Sequence, residues 1–100
     1  MSRELIVLTA RKPELDLRAL ALPPLHTAGN YVFDSEDRLL LRIQEPTLIS
    51  VPGETERLLG IESTTPVWWT EIHAATDSPE ANDLAHRCAE TLNGTIWTAQ

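Results

Sequence analysis

Two adjacent tryptophans lie in residues 66–73, and this segment constrains the fold more than any other part of the chain. Its sequence, PVWWTEIH, is rich in residues that favour strands. Side chains alternate between the two faces of a strand, so Trp68 should face one way and Trp69, Glu71 and His73 the other. Trp68, which shares its face with Ile72, is the indole expected to anchor the core. The other then needs cover from a second layer of the chain, a sister subunit or a foreign partner.

The best-specified helix follows this strand and lies between residues 78 and 94. Its start is marked by Asp77 or Ser78 as N-cap and by Pro79 in the first turn, and Gly94 lies just beyond its end. Its apolar residues recur at helical spacing and form one face. These residues are Ala81, Leu84, Ala85, Cys88 and Leu92.

The other elements are predicted from apolar runs and from the proline and glycine residues that interrupt them. A central strand is expected near residues 4–9 and a helix over residues 15–22, ended by Pro23 and Pro24. The remaining expectations are a hairpin of strands 31–33 and 38–43 and a last strand at 95–98. Between them, an extra segment 46–60 either bends the sheet at a bulge or adds another strand, and its residues 54–59 suit a short helix.

The order of these elements, strand, helix, hairpin, strand, helix, strand, resembles the βαββαβ or ferredoxin-like arrangement. The resemblance implies an α+β fold, a two-layer α/β sandwich in which two main helices cover one face of a mostly antiparallel sheet. The other face of that sheet would be left uncovered. The whole chain, 1–100, is expected to form one domain.

Charge and composition limit the classes of partner. Fifteen acidic residues against eight basic ones give a net charge of −7, which repels phosphate backbones and anionic lipids, so neither nucleic acid nor a membrane is an expected partner. No apolar run approaches the roughly 20 residues of a membrane span. The single Cys88 cannot form an intramolecular disulfide and suits a reducing compartment, so a cytoplasmic location is expected.

The residues that most resemble a chemical site are Glu71 and His73, because a carboxylate beside an imidazole can orient the ring and support acid–base chemistry. Polar pairs on the solvent face of a sheet are common, so the pair is also explained without a function. His26, His73 and His86 lack the spacing that preorganises metal ligands. The sequence therefore predicts no metal and no cofactor.

The acidic loop of the hairpin invites two interpretations. Asp34, Glu36 and Asp37 are typical turn residues, because Asp and Ser bond their own backbone. They would also form an acidic knob for a partner, which Glu54, Glu56 and Glu62 extend.

No sequence pattern provides an activated nucleophile or a phosphate cradle, which favours a binding protein over an enzyme. The leading hypothesis is a small acidic protein that associates with a basic protein, as an immunity-type inhibitor of a basic toxin or nucleic-acid-handling enzyme does. The alternative is a homo-oligomer, in its simplest form a homodimer, that binds a small molecule or catalyses a simple reaction in a pocket between subunits lined by Glu71 and His73. The partner-binding residues expected under the leading hypothesis are Trp69, Glu71, His73, Asp34, Glu36 and Asp37.

Overall fold

A seven-stranded antiparallel sheet makes up most of the computed structural model, which describes residues 3–51, 53–60, 66–76 and 78–98. The strands are β1 (Arg3–Thr9), β2 (His26–Ala28), β3 (Tyr31–Phe33), β4 (Leu39–Ile43), β5 (Thr47–Ile49), β6 (Val67–Ala74) and β7 (Thr95–Thr98). The helices are α1 (Leu17–Leu20), α2 (Glu54–Leu59) and α3 (Pro79–Leu92).

The tryptophan-containing strand β6 lies at the centre of the sheet. The strand order is β2-β3-β4-β6-β1-β7, and β5 pairs with the first part of β6 while β4 pairs with its last part. Strand β1 pairs with β6 along seven residues, with Leu8 opposite Trp69. Pro46 separates β4 from β5, because proline has no backbone N–H to donate to a neighbouring strand.

Helix α3 packs on one face of the sheet, here called the helix face, and encloses the main core there. It begins at Pro79, as its start signals predict, and Ser78 is its N-cap, accepting a hydrogen bond from the backbone N–H of Ala81. Asp77 lies outside the described residues. The fully buried residues of the main core include Leu5, Val7, Leu41, Ile72, Leu84 and Cys88. Burial raises the pKa of the Cys88 thiol to about 11, so the thiol is protonated near neutral pH.

The opposite face of the sheet, here called the second face, carries a smaller apolar cluster. Ile6, Leu8 and Val67 are buried there. Four partly buried residues pack against them, namely Ile49, Leu59, Trp69 and Trp97. Leu59 comes from α2, so this short helix provides part of the cover that the second face has.

Trp68 does not fill the core position that the strand pattern predicts. Alternation along β6 places it on the helix face, but it is only half-buried. The ammonium group of Lys12 lies 5.7 Å from the centre of its ring, which is within the range of a cation–π contact. Trp68 therefore lies at the margin of the main core.

The predicted two-layer βαββαβ sandwich with two main helices is wrong. The expected helix over residues 15–22 shrinks to the four residues of α1, because the leucines of this segment do not follow a helical face and the two prolines end it early. The chain after those prolines instead forms β2, and the extra segment contributes β5. The result is an antiparallel sheet with three short helices, of which α3 is the longest at 14 residues. Among the described residues, no helix is long and apolar enough to cross a bilayer.

Candidate binding surface on the second face

Two neighbouring strands bring Glu4, Glu71 and His73 together on the second face. In the register of β1 and β6, Glu4 lies opposite His73, and Glu71 lies one position further along the same face. A carboxylate oxygen from each glutamate and a ring nitrogen of His73 all lie within 4.8 Å of one another. All three residues are half-buried. The sequence predicts the Glu71–His73 pair but misses Glu4, because only the strand register makes it a neighbour.

The carboxyl group of Glu4 is held in its protonated form more strongly than usual. Burial raises the pKa of Glu4, and its hydrogen bond with the Glu71 side chain and the charge of Glu71 raise it further. The charges of His73 and Arg42 act in the opposite direction.

The imidazole of His73 faces the carboxylates on one side. Its Nδ1 lies 3.9 Å from Oε2 of Glu4. Its Nε2 is buried and has no hydrogen-bond partner among the described residues. Arg42 is the cross-strand neighbour of His73 on β4, so a cationic group flanks the cluster on that side.

Trp69 lies further along β6 on the same face and is also half-buried. It is opposite Leu8 in the register and belongs to the apolar cluster that includes Trp97. The second face therefore combines an apolar end, centred on the two indoles, with a polar centre of two carboxyl groups and an imidazole. Such a combination can receive a cationic group that has apolar surroundings.

Aromatic rings continue the second face toward the edge strand β2. Tyr31 is the cross-strand neighbour of Arg42, and its ring lies 6.5 Å from that of Phe33. The ring of Phe33 in turn stacks on His26 at 5.5 Å. These contacts order the β2–β3 hairpin, and Tyr31 remains exposed.

The acidic hairpin loop is separate from this surface. Residues 34–37 connect β3 to β4 and lie past the end of β6 that holds Ala74. Trp69 lies near the other end of β6, where β5 pairs with it. The structure thus brings Trp69, Glu71 and His73 to one face and places the three acidic loop residues elsewhere.

Within the loop, each acidic side chain has a partner from the same chain. Asp34 is only 7% exposed and accepts hydrogen bonds from the backbone N–H groups of Glu36 and Arg38 and from Nε of Arg38. Glu36 pairs with Arg38 at 3.0 Å, and Asp37 pairs with His26 at 3.0 Å. Asp34 has a structural task, while Glu36 and Asp37 remain exposed.

The other acidic residues considered with this loop lie elsewhere in the chain. Glu56 is exposed on α2, at the end of the sheet that holds Trp69. Glu62 lies outside the described residues, as does the side chain of Glu54. Glu56 is thus the described member that adds negative charge near the second face.

A cleft of about 160 Å³ opens on the helix face, between the end of α3 and the segment that precedes α1. The buried Thr70 lines it, together with Lys12, Glu45 and Leu92. Thr70 lies between Trp69 and Glu71 in β6, so its side chain points away from theirs. This cleft is therefore separated from the Glu71–His73 pair by the sheet.

Comparison of the chain with protein-family models, with curated proteins and with solved structures finds no match. The function is therefore argued from the geometry and charge of the second face.

Proposed function

We propose that this chain acts by binding another protein that has a basic surface, and that the second face is the contact surface. The observation that carries the proposal is the pair of half-buried carboxyl groups, Glu4 and Glu71, whose oxygens lie within 4.8 Å of each other on a sheet face that α2 covers only in part. A lysine or arginine of the partner would pair with both carboxylates. Charged pairs in such partly buried surroundings contribute to both specificity and association rate.

The apolar end of the same face would supply the anchoring contacts. Trp69 and Trp97 are partly buried beside this carboxyl pair, and large aromatic side chains commonly dominate the binding energy of an interface. The net charge of −7 would steer a basic partner toward the chain. A basic toxin or nucleic-acid-handling enzyme is the class of partner that fits, and covering its phosphate-binding surface would inhibit it.

A homodimer is the second candidate, because Val51 and Leu58 are exposed apolar residues just after β5 and on α2. Pairing through the second face would then place Glu71 and His73 in a pocket between subunits. A twofold interface, however, brings the same surface of both subunits together, so the carboxylates of one copy would approach those of the other. This repulsion favours a basic partner over a second copy.

The test is affinity capture from an extract of the source cells with three forms of the chain. Glu71→Lys reverses a charge on the second face, and the matched control Glu90→Lys makes the same change on an exposed position of α3. We expect a basic protein to bind the unchanged chain and Glu90→Lys equally. Glu71→Lys should weaken the binding of that purified partner at least tenfold, and added salt should weaken the binding of all three forms.

Equal binding by Glu71→Lys and Glu90→Lys would contradict the proposal, because the partner would then use another surface. Light scattering on the purified chain provides the other decisive result. A stable dimer whose dissociation constant changes in Glu71→Lys and stays the same in Glu90→Lys would place the dimer interface on the second face and establish the homodimer in place of the proposed function.

A further inference from the structure

The cluster of Glu4, Glu71 and His73 has the donors and the rigid support that a metal site requires. Its members come from β1 and β6, which pair along seven residues. The residues next to them in these strands, Leu5 and Ile72, are fully buried in the main core. The backbone that carries the three side chains is thus fixed by pairing and packing, which is the usual condition for a precise site.

The spacing of the donor atoms is close to that of a tetrahedral metal centre. Zinc bonds to carboxylate oxygen and imidazole nitrogen are about 2.0–2.2 Å long, which places neighbouring ligand atoms roughly 3.3 Å apart. The donor atoms of the cluster lie within 4.8 Å of one another without an ion. The end torsions of glutamate side chains are broad, so rotation about them moves these oxygens without a change in the backbone.

The charge of the cluster favours a cation. Glu4 and Glu71 place carboxyl oxygens within 4.8 Å of each other, and a bound cation offsets the repulsion between two neighbouring carboxylates. The positive charge of Arg42 also acts on Glu4, and it opposes the binding of a metal ion. With both carboxylates ionised and His73 neutral, the group that includes Arg42 still has a net charge of −1.

The imidazole presents one of its ring nitrogens to the carboxyl groups. Nδ1 of His73 lies 3.9 Å from Oε2 of Glu4. Either ring nitrogen of a neutral histidine can be a metal ligand, and Nδ1 is the one that this geometry offers to an ion in the cluster.

We propose that Glu4, Glu71 and His73 form a binding site for a divalent transition-metal ion, with zinc as the ion that fits best. Imidazole together with carboxylate suits zinc, whereas magnesium and calcium prefer sites built from oxygen alone. The three side chains leave a fourth position for water or for a group from a partner. The inference does not depend on the proposed association, because its test needs no partner.

The test is calorimetric titration of the tag-free chain with zinc chloride, with the unchanged chain compared to Glu71→Gln, His73→Gln and Glu4→Gln. His26→Gln is the matched control, because His26 also lies beside a carboxylate, that of Asp37, but outside the cluster. We expect one zinc ion per chain, at least tenfold weaker binding in each cluster variant and less than a twofold change in His26→Gln. Replacement of zinc by cobalt should give the visible absorption of a tetrahedral site, and circular dichroism verifies that each variant is folded.

The proposal is overturned if the folded chain binds no zinc at 1 mM, a concentration on the order of the weakest extracellular metal sites. It is also overturned if Glu71→Gln and His73→Gln bind zinc as tightly as the unchanged chain. Should one cluster variant fail to fold, the other two decide the outcome. If the unchanged chain binds no zinc and still captures a basic protein, this inference fails and the proposed function stands.

Discussion

At the scale of single residues, Asp34 shows how one carboxylate can organise a loop. Its Oδ1 accepts two backbone N–H groups and its Oδ2 accepts Nε of Arg38. These hydrogen bonds, of which that from the Arg38 backbone is the strongest influence, hold the pKa of Asp34 below its ordinary value of 3.8. The sequence allows two interpretations of Asp34, as a turn residue or as part of an acidic knob for a partner. Its burial favours the turn residue.

Asp34→Asn should therefore lower the stability of the chain at neutral pH and leave it less changed in acid. Because the pKa of Asp34 is depressed in the folded state, its ionised form stabilises the fold above the unfolded pKa, and this contribution is lost as the pH falls through the lower folded value. Urea unfolding at pH 7 and at pH 3 measures both effects.

Asp83→Asn is the control for that experiment, since Asp83 forms an exposed i,i+4 pair with Arg87 on α3 and should matter little. The difference in unfolding free energy between Asp34→Asn and the unchanged chain is then compared at the two pH values. An equal difference at both would show that the charge of Asp34 does not stabilise the loop.

At the scale of elements, the join between α3 and β7 depends on two residues with different tasks. Asn93 ends the helix in the left-handed region, with φ of 54°. The sequence assigns the helix stop to Gly94, but this glycine has no positive φ. Its role is close approach instead, because a Cβ at this position would collide with the backbone oxygen of Leu8 and the side chain of Thr9.

Gly94→Ala should consequently destabilise the chain by about 1–3 kcal/mol, the usual range for added bulk in a packed site. Asn93→Gly should change stability by less than about 1 kcal/mol, because glycine adopts a positive φ without steric cost. Thermal unfolding of both variants checks the pair. Equal stability of Gly94→Ala and the unchanged chain would mean that β7 can move away from β1 without loss.

The elements also show what the sequence can and cannot predict. Helix α3 is predictable because its cap, proline and apolar face agree with one another. The segment around α1 is not, since its leucines fit neither a helix nor a strand and its conformation depends on the rest of the molecule. The same limit applies to the candidate site: alternation places Glu71 and His73 on one face, but Glu4 joins them only through the register of β1.

At the scale of the whole molecule, the sheet has apolar residues on both faces. The molecule measures 44 × 26 × 17 Å along its principal axes, so a large part of the sheet is near the surface. The helix face holds the main core, whereas the second face has only the smaller cluster around Ile6 and Leu8. Under the proposed function, stability and binding depend on opposite sides of one sheet.

This division predicts unequal costs for two truncations. Leu84→Ala removes a fully buried side chain from the main core and should cost about 2–5 kcal/mol. Trp69→Ala should cost less, even though it removes more atoms, because the indole is only half-buried. Denaturant unfolding compares the two, and a larger loss for Trp69→Ala would place that indole in the essential core.

Hydroxyl-radical footprinting of Trp69 and His73, in the isolated chain and in its complex with the captured partner, tests most directly whether the second face is the binding surface. The exposed Leu22 serves as the internal reference. We predict that both residues are modified in the isolated chain and protected in the complex, while modification of Leu22 stays the same. Protection of Trp69 and His73 already in the isolated monomer, or unchanged modification of both in the complex, would contradict the account.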